Sequence, residues 1–250
     1  EVPATPPTVT FASLTPRPFA SLWDNLPEPR HVDTPRANEL LFGQGHGLVL
    51  YRREVRGDGK LEIGGVRDYA TVSFGGQYLD SISRVVHASL HSDNSVALPA
   101  TDAGAVLDIL VDSFGHVGYG HAMADRKGIL GAIRLDGTQL EGWEAFSLPL
   151  DTAWLRGLRE LQGKPTRPGV FFKATLRLAQ TGDCYLDMSD WDKGYLWVNG
   201  RLLGRYWHIG PQQRLYCPAP WLRSGDNAVL VFDLHRVEPA AIRGVRNLHA

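Results

Sequence analysis

The chain has little cysteine, no excess of charge of either sign and no long apolar run. Only Cys184 and Cys217 occur among its 250 residues, which excludes a cysteine-rich scaffold and a four-thiolate zinc site. Both lie in strand-like stretches. Two buried thiols is the favoured reading, and a single disulfide stays open. The 26 basic and 27 acidic residues leave a formal net charge of −1. No imbalance therefore points to nucleic acid or to an anionic membrane as partner. No apolar stretch approaches the roughly 20 residues that a transmembrane helix needs. The start, Glu1-Val2-Pro3, has no methionine, no basic cluster and no apolar signal core, so the expectation is a chain that begins inside a longer protein.

Proline is unevenly spent. Eight of the 16 prolines fall before residue 36, and such a segment is extended, unfit for a helix or a central strand. Residues 1–40 are therefore expected to be a connector. Beyond them come short apolar runs broken by Gly, Asp and Asn: Gly47-Leu48-Val49-Leu50-Tyr51, Leu61-Glu62-Ile63, Ala70-Thr71-Val72-Ser73-Phe74 and Ala105 to Val111. These read as strands. One short helix is expected over 151–161, where Asp151 caps and Leu155, Leu158 and Leu161 fall at helical spacing.

The chain also matches itself. GLVLY at Gly47 resembles GVFFK at Gly169, VSFGGQYL at Val72 resembles LWVNGRLL at Leu196, and AVLDIL at Ala105 resembles AVLVFD at Ala228. The offsets are 122, 124 and 123, so one β domain is expected twice, over 41–142 and 143–250. Within each, Gly75-Gly76 and Asn199-Gly200 are two-residue hairpin turns, since both positions tolerate positive φ. Two sheets with turns at this spacing give an all-β sandwich or jelly roll.

The densest signature runs from Trp191 to Leu234, WDKGYLWVNGRLLGRYWHIGPQQRLYCPAPWLRSGDNAVLVFDL. It resembles the C-terminal segment of family 35 glycoside hydrolases, the lysosomal and bacterial β-galactosidases. Leu22 to Pro27, Gly43 to Gly47 and Asp112 to Gly120, continuing through Asp125 to Gly128, resemble further segments of the same family. The resemblance implies two galactose-binding-like jelly-roll domains that accompany a catalytic (β/α)8 barrel. A barrel takes roughly 250 residues by itself, and its pattern is missing here. Retaining hydrolysis needs two carboxyl groups about 5–5.5 Å apart; those glutamates belong to the barrel, so no catalytic residue is assigned. The cluster Asp183, Asp187, Asp190 and Asp192 reads as a solvated turn, with calcium ligation by its oxygens the lesser alternative.

The resemblance also implies one contribution to a sugar site. Tyr119, between Gly118 and Gly120, matches the family tyrosine that projects into the barrel's galactose pocket, where a ring packs on a sugar face and a hydroxyl bonds a sugar oxygen. Trp191 and Trp207 are the weaker candidates for stacking sugar, with core packing as the competing reading. His116, His121 and Asp125 are irregularly spaced, and neither metal nor cofactor is expected. The function implied is the non-catalytic accessory portion of a retaining β-galactosidase, its partners the barrel and, through it, galactosides. An autonomous carbohydrate-binding module and a purely structural or homo-oligomerising pair remain the alternatives. Compartment stays open; the family implies an extracellular, periplasmic or lysosomal one.

Overall fold

The computed structural model describes residues 7–248 except 89, 91, 92 and 102. The chain divides into two compact units, one continuous from Leu26 to Leu155 and one assembled from Glu1–Asn25 with Arg156–Ala250. The first is an insertion in the second, and they are called the inserted and the split unit below.

The split unit begins with β1 (Phe11–Leu14) and β2 (Arg17–Ser21). The inserted unit follows with β3 (Arg30–Val32), β4 (Gly47–Val55), β5 (Gly59–Ile63), β6 (Val66–Arg67), β7 (Tyr69–Phe74) and β8 (Gln77–Ser83). It continues through β9 (Ser95–Leu98), β10 (Ala105–Ser113), β11 (Gly128–Ile129), β12 (Ile133–Leu135), β13 (Thr138–Gln139) and β14 (Trp143–Leu148). The split unit then resumes with β15 (Val170–Leu178), β16 (Cys184–Asp187), β17 (Lys193–Val198), β18 (Arg201–Trp207), β19 (Arg214–Cys217), β20 (Gly225–Asp233) and β21 (Ile242–Val245). The helices are short, α1 at Asn38–Phe42 and α2 at Thr152–Arg156. No helix among the described residues is long and apolar enough to cross a membrane.

Both units are antiparallel β-sandwiches, and their sheets correspond strand for strand except for β3, which the inserted unit adds at one edge. The larger sheet of the inserted unit runs β3-β14-β4-β10-β7-β8; that of the split unit runs β2-β15-β20-β17-β18. The smaller sheets run β13-β12-β5-β9 and β1-β21-β16-β19. The N-terminal β1 and β2 thus hold the places that β13 and β14 hold in the inserted unit. The split unit is the same fold, circularly permuted. Residues 7–25, expected to be a connector, therefore build two edge strands of the second sandwich, and β14, placed by the sequence in the second domain, closes the first. Pro18 sits on the outermost strand, opposite Phe172 beside a register shift, where a missing N–H costs no ladder bond.

The repeat is visible at residue level. Leu196 opposes Gly204 and Trp197 opposes Leu202, so Leu203 bulges; Val72 opposes Asp80 and Ser73 opposes Tyr78, so Leu79 bulges. The hairpin turns have φ of 58° and 81° at Gly75-Gly76, and 51° and 77° at Asn199-Gly200. The third matched stretch is one residue out of register. Leu107 opposes Phe74 and Val229 opposes Val198, an offset of 122 (229 less 107) rather than 123. A one-residue slip exchanges the two faces of a strand, and burial decides the register. Leu107, Ile109 and Val111 fill one core, Val229 and Val231 the other.

Alternation sets each core. Val49 and Tyr51 of β4 and Ala70, Val72 and Phe74 of β7 face Leu61 and Ile63 of β5. Val170, Phe172 and Leu176 of β15 face Cys184 and Leu186 of β16. The helix over 151–161 is shorter than expected. Asp151 does cap it, its carboxylate accepting the Trp154 N–H at 2.8 Å, but it stops at Arg156 before Gly157, whose backbone freedom disfavours continuing.

Candidate functional site

Tyr119 stands on the loop that leaves β10 after Ser113 and returns at β11. Its ring is 92% exposed, and a short 3-10 turn, His121–Ala124, follows it. Gly120 has φ of 89°, a left-handed value that favours glycine. A Cβ added at Gly118 or Gly120 would meet nothing within 4 Å. The loop's mid-section is surface throughout: His116, Val117, Tyr119, His121, Met123 and Ala124 are all exposed.

Below it lies a dense group of charges. Lys127 donates from its ammonium to both Asp68 oxygens at 3.1 and 3.0 Å, with side chains only 2% and 5% exposed. The Phe114 N–H donates to Asp68 Oδ2 at 2.9 Å. Arg84 reaches Asp68 Oδ1 at 3.2 Å and also bonds Asp125, which accepts from Arg67 Nε at 3.2 Å. For Asp125, burial opposes ionisation, but the hydrogen bond and charge of Arg84, then those of Arg67, outweigh it and hold the carboxyl below the usual range. His116 Nε2 lies 3.0 Å from Glu39 Oε1, and Glu39 also accepts the Lys127 backbone N–H at 3.0 Å. Asp125 is thus engaged in ion pairs, and His116 in a contact with Glu39, within the unit. Among the described residues no group of three or more His, Cys, Asp or Glu is placed to hold a metal.

In the split unit the two tryptophans part company. Trp191 is 1% exposed, its indole N–H donates to the Ala241 carbonyl at 3.2 Å, and Phe172 and Tyr206 meet it edge-on at 5.2 and 6.2 Å. It has no face for a sugar, and as a stacking platform it is corrected to a core residue. Trp207 is half-buried, with the Lys193 ammonium 5.0 Å from its ring centroid. Trp197, 3% exposed, stacks on Tyr195 at 5.9 Å. A cleft of about 560 Å³ is lined by Trp23, Arg159, Lys164 and Arg167. The Arg167 guanidinium sits 3.3 Å from the Trp23 ring centroid and covers one face of that ring.

The four aspartates do not converge. Asp183 accepts the Ala219 N–H, while Asp187, Asp190 and Asp192 pair with Arg214, Arg243 and Arg236 respectively. Cys184 and Cys217 lie directly opposite each other on β16 and β19 as buried free thiols. Burial pushes them up to about 11 and about 12, Cys184 adding to the second, so neither is a nucleophile near neutral pH. The sequence did not single out Asp68, Lys127 or Arg84 as a group. They lie far apart in the chain; the pairing of β7 with β8 brings Arg84 to Asp68, and that of β11 with β6 brings Lys127 there.

Two domain families match the chain. One described as "Beta-galactosidase, first all-beta domain" covers residues 39–149, and one described as "Beta-galactosidase, galactose-binding domain" covers residues 169–227. A Beta-galactosidase from Xanthomonas manihotis is 42% identical over 86% of this chain and 36% of its own length. Beta-galactosidase-1-like protein 2 of Homo sapiens is 35% identical over 94% of this chain and 38% of its own. The chain thus spans little more than a third of these relatives. A lectin from Pleurotus ostreatus in complex with GalNAc aligns over 97% of this chain and 81% of its own, at 12% identity and a TM-score of 0.22, too low for the folds to be equated.

Proposed function

The chain belongs to the β-galactosidase family as its accessory β domains, a first all-beta domain and a galactose-binding domain, and from that premise we propose that it is the non-catalytic accessory portion of a retaining β-galactosidase. In this reading both sandwiches are galactose-binding-like jelly rolls that brace a catalytic barrel carried elsewhere. The inserted unit lends one residue, Tyr119, to the galactose pocket.

The observation that carries the reading is the exposure of Tyr119. A tyrosine ring combines an apolar face with a polar tip, and leaving nearly all of it in water forfeits about 25 cal/mol per Å² of apolar area. The side chain gains nothing from this fold. Other apolar side chains of the inserted unit are exposed as well. Val117 and Met123 on the same loop, and Val86 beside Arg84, are 46%, 55% and 87% exposed. Leu40 beside Glu39 and Leu130 beyond β11 are also exposed. Exposed apolar side chains, where they adjoin, mark a surface made to be covered. A barrel with its galactose pocket is the partner that the family supplies. The chemistry assigned to the chain is then recognition, with acid/base and nucleophile roles left to the barrel's two carboxyl groups.

A chimera tests this, with the chain replacing the matching segment of the Xanthomonas manihotis β-galactosidase. Tyr119→Ala should raise KM for a chromogenic β-galactoside about tenfold and leave the thermal midpoint unchanged, while the 250-residue chain alone turns over none. Unchanged KM and kcat in Tyr119→Ala would remove Tyr119 from the pocket.

A further inference from the structure

We infer that Asp68 is a positioning residue for the Tyr119 loop, its single carboxylate holding both ends of that loop at once; the functional importance of the clamp rests on the pocket reading above. The loop opens at Phe114, whose N–H donates to Asp68 Oδ2 at 2.9 Å. It closes at Lys127, whose ammonium donates to both oxygens of the same group at 3.0 and 3.1 Å. Asp68 itself cannot drift. Its N–H donates to the Asp112 carbonyl and its carbonyl accepts the Arg84 N–H at 2.8 Å, so the sheet fixes it between β10 and β8. A second tie lies just inside the closing end, where Asp125 takes Arg84 and Arg67.

What lies between those ends needs such a device. Almost every side chain from His116 to Ala124 faces water, so burial supplies little force to hold Tyr119 in one place. Charge-assisted hydrogen bonds are directional, and a buried ion pair is a poor source of net stability compared with apolar packing. An Asp–Lys pair buried at the loop's two stems therefore serves geometry more than stability. Side chains must be held to within about 0.5 Å for a site to work, and at the stems that precision is built in by Asp68.

The test separates position from stability. Amide hydrogen exchange on the 250-residue chain should show residues 115–125 exchanging at least tenfold faster in Asp68→Ala, with β4, β7 and β10 unchanged. Asp68→Asn, which keeps an acceptor for Phe114, should fall between. Should Asp68→Ala fold poorly, the apolar double variant Asp68→Leu with Lys127→Met should recover the unfolding midpoint yet keep the fast loop. In the chimera these variants should raise KM several-fold with kcat little changed. Loop exchange that is unaltered in Asp68→Ala, or that recovers together with the midpoint in the double variant, would overturn the clamp. A chimera indifferent to Tyr119→Ala overturns the pocket reading instead, and the exchange data still decide the clamp.

Discussion

Asp233 ends β20 as a carboxyl group with no exposure to solvent. It accepts N–H groups from His235 and Arg236 at 2.8 and 3.0 Å, and the Tyr206 hydroxyl lies 2.9 Å from its Oδ2. Burial, the largest influence, pushes it up to about 6 against those hydrogen bonds, with Asp192 adding to the rise. Between about pH 4 and 6 the folded chain binds the proton more tightly than the unfolded chain, so stability falls as pH rises through that window. The shift from 3.8 to about 6 corresponds to a cost on the order of 3 kcal/mol once the group is ionised. Urea denaturation of the wild type and of Asp233→Asn, compared at pH 4.5 and 7, should show the wild type losing ground at the higher pH. Parallel curves would mean that Asp233 titrates elsewhere. The adjacent sequence, Phe232-Asp233-Leu234, reads as an ordinary strand end; nothing in it discloses the burial.

At the scale of elements, β2 is the revealing case. Its local geometry was legible as extended and unfit for a helix or a central strand, because proline forbids both. The sequence did not disclose the partner. β2 pairs with β15, about 150 residues downstream, and places Ala20 and Leu22 fully out of solvent. Leu22→Ala should therefore cost about 2–5 kcal/mol, the usual range for emptying a core leucine site, whereas a leucine in a loose connector would cost almost nothing. Thermal unfolding of the purified variant distinguishes the two. The hairpins behave in the opposite way. Asn199-Gly200 and Gly75-Gly76 were legible because the turn chemistry is contained in two residues, and the positive φ values are what those residues permit.

For the whole molecule, the consequence is an unusual wiring. The inserted unit leaves the split unit after Asn25 and returns at Arg156. Near these points Arg159 donates its N–H to Asn25 Oδ1 at 2.7 Å, and Asn25 Nδ2 reaches the Arg159 carbonyl at 3.4 Å. A short glycine linker should therefore replace residues 26–155 and leave a folded split unit, with native-like near-ultraviolet circular dichroism and a cooperative melt. Residues 156–250 alone, lacking β1 and β2, should not fold. A folded 156–250 fragment would show that the N-terminal strands are dispensable.

The sequence by itself determined what is local or periodic: an all-β chain, a repeated sandwich, the hairpin turns, the exclusion of a barrel pattern and the family, since each is written in contiguous residues or a fixed spacing. Tertiary structure alone decided which segments share a sandwich, that Trp191 is core rather than sugar platform, and that Asp68 meets Lys127. Those facts depend on ladder partners and on burial. Pairing is set by whichever arrangement buries the alternating faces of strands far apart in the chain, and no short window of sequence records that choice.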